Sequence, residues 1–130
     1  MTKEEIYNFL KLNGFKLEQQ DTSEYFNDYF DVFANDVFAV RFSSTKSFET
    51  VDIRNIKDEE NWYDLALIKA LLFNEVELNQ VTTIQTHIGF LRQEFHRIGE
   101  LFDRQHYPNT KIRLDELGNK RAKQMFPSQF

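Results

Sequence analysis

Asp58–Phe73 reads DEENWYDLALIKALLF, in which an acidic opening turn runs into Leu65, Leu67, Ile68, Leu71, Leu72 and Phe73. These residues fall on almost every side of a helix, and a helix apolar all round belongs in the middle of a domain. They cannot all face one partner, so the stretch calls for a sheet against one side and further helices against another. Asp58, Glu59 and Glu60 sit where a helix amino end favours negative charge, and Trp62 would follow on the first turn, pointing to the sheet or its edge.

Upstream of this helix the period is two. A three-residue loop at Ala34-Asn35-Asp36 would set Val32 opposite Phe38 and Phe30 opposite Val40, and a turn at Lys46-Ser47 would set Phe42 opposite Val51 and Val40 opposite Ile53. One face would then carry Phe30, Val32, Phe38, Val40, Phe42, Val51 and Ile53. The other would carry Tyr29, Asp31, Phe33, Arg41, Asp52 and Arg54, with Arg41 and Asp52 opposed as a cross-strand ion pair. At the amino end, Thr2-Lys3-Glu4-Glu5 has the form of a capping box for a helix from Lys3, with Ile6, Phe9 and Leu10 on one face and Asn13-Gly14 as the stop. Phe15–Glu18 predicts a short first strand, with a turn at Asp21-Thr22-Ser23.

Downstream, Val81, Ile84, Ile88, Leu91, Phe95, Ile98 and Phe102 recur at alternating steps of three and four, which predicts one long helix over 81–102. Tyr107-Pro108-Asn109 breaks the chain, Thr110 can cap a last helix anchored by Leu114, Leu117 and Met125, and Pro127 ends it. The predicted class is therefore α+β: a short N-terminal helix, a three- or four-stranded antiparallel meander sheet, then three helices packed on one face, in a single domain 1–130.

The 130 residues include 41% hydrophobic and 15% aromatic side chains, enough to build a core, while the absence of Cys removes disulfides and thiolate metal sites. The start MTKEEIYNFL lacks the pattern of a secretory signal, and the longest apolar run, Leu65–Phe73, is interrupted by Lys69 and falls well short of the ~20 residues of a membrane span. These features predict a cytoplasmic protein that crosses no membrane. Residues 1–66 hold seven basic and fourteen acidic side chains, net −7, whereas 67–130 are net +2, for −5 overall. An acidic front half repels phosphate and attracts basic protein, although the same charges also serve solubility.

Motifs that carry chemistry are missing. There is no GxGxxG, Walker-type loop, GxSxG or HExxH. His87, His96 and His106 match no zinc spacing, and positions 87 and 96 fall on opposite sides of a helix, so they read as helix-surface histidines. Asp58, Glu59, Glu60 and Asp64 could be taken for an acid/base pair but read better as helix-start charges. The closing helix, with Lys111, Arg113, Lys120, Arg121 and Lys123, reads as a solvated face; direct nucleic-acid contact is not expected of so acidic a chain. No catalytic residue, metal ligand or cofactor is assigned, and the chain is not expected to be an enzyme.

The most suggestive stretch is Asp21–Asp36, DTSEYFNDYFDVFAND. With the core filled as above, Tyr25 and Tyr29 remain on the open side beside Asp28, Asp31 and Asp36, and tyrosines among carboxylates suit the binding of a basic protein. Tyr25, Asp28, Tyr29, Asp31 and Asp36 are therefore the candidate partner-binding residues.

In layout, the leading helix, the meander, VDIRNIKDEENWYDLALIKALLFNE and a long helix with a basic end resemble the small cytoplasmic immunity proteins encoded beside bacterial polymorphic or contact-delivered toxins. That resemblance implies a protein that binds a cognate toxin, for example a nuclease, and blocks it without catalysis of its own. The alternative is a small structural or regulatory domain that forms a homodimer through the 81–102 seam.

Overall fold

The computed structural model describes residues 1–22 and 28–129. Helix α1 (Lys3–Leu12) leads into a five-stranded antiparallel meander of β1 (Lys16–Thr22), β2 (Tyr29–Ala34), β3 (Phe38–Thr45), β4 (Phe48–Asn55) and β5 (Tyr63–Asp64), hydrogen-bonded in chain order. Helices α2 (Leu65–Phe73), α3 (Ile84–Gln93), α4 (Phe95–Leu101) and α5 (Tyr107–Met125) follow. The predicted α+β class holds, with one short strand more than expected and four helices after the sheet.

Local chemistry accounts for most boundaries. The Thr2 hydroxyl accepts from the Glu5 amide and donates to the Glu5 carboxylate, so α1 starts as predicted. Gly14, at φ 86°, stops it in a conformation that suits glycine. Lys46 and Ser47 both take positive φ, the signature of a two-residue hairpin whose twist matches its strands. As a result Phe42 pairs with Val51, Arg41 with Asp52 and Val40 with Ile53, as predicted.

The register of β2 differs from the prediction. Asn35 Oδ1 accepts the amides of Val37 and Phe38 at 2.8 and 2.9 Å, which closes a longer turn and pairs Ala34 with Ala39, Phe33 with Val40 and Asp31 with Phe42. The slip is by an odd number of residues, so every side chain of β2 changes sides. Tyr29, Asp31 and Phe33 lie on the inner, helix-covered face, and Phe30, Val32 and Ala34 lie on the outer one.

Other corrections are smaller. β1 runs on to Thr22, with an extra residue at Glu18. Before any helix begins, Tyr63 and Asp64 pair with Ile53 and Asp52, so α2 starts at Leu65 with Asp64 as its cap, accepting from the Leu67 amide at 3.2 Å. The 81–102 periodicity becomes two helices, starting from the Thr83 cap and stepping at Glu94. Ile88, Leu91, Ile98 and Phe102 of that seam are buried in the chain's own core, which occupies the face a homodimer would have used. The last helix begins at Tyr107 after Asp103, whose carboxylate accepts the His106 amide, while Thr110 is buried inside it.

The core lies between the inner face of the sheet and the helices. Phe33, Phe38, Val40, Phe42, Val51 and Ile53 meet Ile6 and Leu10 of α1, Leu65 and Ile68 of α2, Leu91 of α3 and Ile98 of α4. α2 touches β4, β5, α3 and α5, the central placement its all-round apolar surface requires. α5 is tied down by polar bonds: Arg121 holds both carboxylate oxygens of Asp64 at 2.9 and 2.6 Å, Tyr63 donates to Asp115 at 2.8 Å, and Tyr107 donates to Asp58. Burial and the Asp115 carboxylate push the Tyr63 hydroxyl up to about 12.

Ile68 has no solvent exposure. Ile68→Ala should therefore destabilise the fold by about 2–5 kcal/mol, because lost burial and a residual cavity add. Urea unfolding would read this as a lower midpoint at unchanged slope; a loss below about 1 kcal/mol would place α2 at the periphery.

Candidate functional site

The flip of β2 separates the four partner-binding candidates that lie among the described residues. Tyr25 lies outside the described residues. Asp28 accepts the Lys46 amide at 2.7 Å and so braces the β3–β4 turn, and Asp36 is exposed at the β2–β3 turn. Tyr29 turns inward, donating to Glu49 at 2.8 Å with Lys3 Nζ 3.6 Å from its ring centre. Asp31 is only 4% exposed; one oxygen accepts from the Tyr7 hydroxyl at 2.5 Å, and the other, Oδ1, has no partner among the described residues. Asp31 therefore keeps its carboxylate inside, and the four candidates among the described residues, Asp28, Tyr29, Asp31 and Asp36, do not share one exposed patch. Burial, then the Asp31 carboxylate, drives the Tyr7 pKa upward, so its hydroxyl keeps the proton it donates. Tyr7→Phe should remove the donor of a buried carboxylate and destabilise by about 1–3 kcal/mol in urea unfolding; an unchanged midpoint would mean that Asp31 is adequately solvated.

The outward half of the sheet offers what the acidic-aromatic stretch does not. Val32, Ala34 and Ala39 form a second apolar cluster, flanked by Phe30, Ile56 and Trp62, and no helical residue joins it among the described residues. Period two explains the membership: Phe30, Val32 and Ala34 alternate with the inward side chains of β2, and Ala39 and Arg41 alternate with those of β3. Arg41 lies 4.3 Å and Arg54 5.2 Å from the Trp62 ring centre. Arg41 also bonds Asp52 at 3.0 Å, the cross-strand pair expected from sequence, yet burial outweighs the arginine and raises the Asp52 pKa. Arg54 donates to the carbonyls of Asn55 and Ile56, both at 3.1 Å.

Beside this cluster the surface is concave, about 600 Å³, lined by Glu18, Gln19, Val32, Ala34, Arg54, Ile56, Glu59 and Trp62. Glu18 is the extra residue of β1, the position at which a bulge re-aims a side chain. β1 itself is an edge strand exposed along its whole length, with Lys16, Glu18 and Asp21 providing the charges that discourage indiscriminate strand pairing. Sequence reasoning missed this site because Phe30 and Val32 were assigned to the core. The one available signal was Trp62, the only tryptophan, placed just before α2.

A second hollow of about 370 Å³ lies between the β3–β4 turn and the end of α5, with exposed Phe48, Val81 and Met125 at its margin and His87 in its lining. The three histidines do different things: His106 pairs with Asp103 at 2.9 Å, the His96 ring stands 5.7 Å from the Phe95 ring centre, and His87 is half-buried. Among the described residues no group of three or more His, Asp or Glu is placed to hold a metal ion, and no helix is long and apolar enough to cross a membrane. Comparison with protein-family models, curated proteins and solved structures finds no match.

Burial lowers the His87 pKa from its usual 6.5, against the opposing pull of Asp64 and Asp52. The folded state then binds this proton less readily than the unfolded chain. The contribution is complete above the unfolded pKa and is lost as pH falls through 6.5 toward the folded value. His87→Gln should therefore shrink the drop in Tm between about pH 7 and about pH 5. An unchanged drop would show that His87 titrates alike in both states.

Proposed function

We propose that the chain is a non-enzymatic protein-binding domain whose outer sheet face docks a basic protein, in the manner of an immunity protein that neutralises a cognate toxin such as a nuclease. The observation that carries this reading is a sheet face whose apolar cluster no described helix joins, with Phe30 and Trp62 around an apolar centre and Glu18, Asp21 and Glu59 near it. Aromatic side chains over a small-residue floor supply desolvated contact, and the carboxylates favour a partner of opposite sign. Lys16, Arg41 and Arg54 share the face, but Arg41 is paired with Asp52 and Arg54 is tied to backbone carbonyls. The acidic balance of residues 1–66 adds long-range attraction for a cationic protein.

The division of labour gives the test. Aromatic contacts buried on docking govern dissociation, whereas rim charges govern encounter. The chain is co-expressed with the product of the reading frame directly upstream, and relief of growth arrest is scored. The complex is then followed by stopped-flow kinetics. Phe30→Ala and Trp62→Ala should each speed dissociation about tenfold or more, as for central aromatic contacts. Charge reversal of Glu18 and Asp21 should slow association and flatten its salt dependence. An upstream product that the chain neither binds nor neutralises, or a complex indifferent to all four substitutions, would overturn the reading.

A further inference from the structure

We propose that the concave site on the outer face receives one arginine or lysine side chain of the docked partner; the inference rests on the docking reading and deepens it. The floor is apolar and small, with Val32 and Ala34 side by side across from Ile56 and Trp62. Glu18 reaches the site from the β1 bulge, and Glu59 reaches it from the turn after β4. Neither carboxylate has an ion-pair partner among the described residues. Among the described residues Arg54 is the one basic group in the lining, and its guanidinium is directed to the Asn55 and Ile56 carbonyls and lies over Trp62.

The occupant follows from matching parts. A long basic side chain carries an apolar stem that can lie on Val32 and Ala34 and a cationic head that can reach two carboxylates. An acidic side chain would meet two like charges, and an aliphatic one would leave both carboxylates desolvated without a donor. The bulge matters because a regular β1 would not carry the extra residue that turns Glu18 to this site.

Trp62, the only tryptophan, stands in the wall and reports on occupancy. The experiment titrates the whole chain with the blocked tripeptide acetyl-Gly-Arg-Gly-amide and with its citrulline counterpart, which keeps the shape and loses the charge. Trp62 emission and the amide resonances of Val32 and Ala34 are followed. The arginine peptide should perturb all three, and the citrulline peptide should bind about fivefold more weakly or worse. The double variant Glu18→Gln, Glu59→Gln should lose affinity for the arginine peptide to a similar degree. Ala34→Leu, which grows outward into the hollow and not into the core, should reduce it too. Equal binding of the two peptides, no response to either, or full affinity in the double variant would overturn the proposal. With the full partner the two readings separate. If Phe30→Ala and Trp62→Ala weaken the complex while the glutamine and leucine variants do not, the docking face stands and the side-chain site falls; if none has any effect, the docking reading falls as well.

Discussion

The side chain of Asn35 accepts the amides of Val37 and Phe38, and the turn it closes pairs Ala34 with Ala39. A strand has two sides and a period of two, so this pairing decides which half of β2 meets the helices. It sends Phe33 into the core, where its ring packs 4.6 Å from that of Tyr7 and 6.2 Å from that of Phe42. It also sends Asp31 inward, and the Tyr7 hydroxyl supplies the donor that a buried carboxylate requires. On the opposite side the same pairing leaves Phe30, Val32 and Ala34 beyond the reach of any described helix. The composition of the core and the existence of an outer apolar cluster beside a hollow both rest on that turn.

The two faces are stabilised differently. The inner side is dense with aromatic contacts, Phe15, Phe38, Phe95 and Phe102 lying ring against ring, with α2 sealing the sheet against α5. Polar bonds between distant segments lock this side: Asn55 donates to the Phe102 carbonyl at 2.8 Å in a buried setting, and Arg121 clamps Asp64. The outer side depends on side chains folding over their own strands. Val32 and Ala39 are nearly inaccessible although no described helix joins their cluster, because Phe30, Trp62 and Ile56 pack beside them. Such a surface exposes no wide apolar area, which is compatible with the docking role proposed for it.

Charge placement fits the same division. Among the described front-half acids, Asp28, Asp31, Glu49, Asp52, Asp58 and Asp64 are engaged by donors within the chain. Their role is structural, and the net −7 of residues 1–66 overstates what a partner would meet at short range. At longer range, engaged and unengaged carboxylates act together, so in the proposed docking steering and contact would fall to different groups.

Sequence alone determined the features set by local chemistry and by strongly one-sided patterns. The Thr2 cap, the Gly14 stop, the Lys46-Ser47 turn with its full β3–β4 register, the Arg41–Asp52 pair and the central place of α2 were all legible, because each needs only neighbouring residues or an apolar pattern with one solution. The side of β2 was not legible: in YFDVFA both alternations carry large apolar residues, so hydrophobicity cannot choose between them. The Asn35 side chain, accepting two amides of the turn, chose instead. The start of α2 was set too early, at Asp58–Glu60, because an acidic turn before an apolar run has the composition of a helix start and only the pairing of β5 with β4 assigns the cap to Asp64. The candidate site depended on both choices. Glu18, Val32, Ala34 and Trp62 come from three separate segments, and only the tertiary pairing of strands, which carries no local signature, brings them to one hollow.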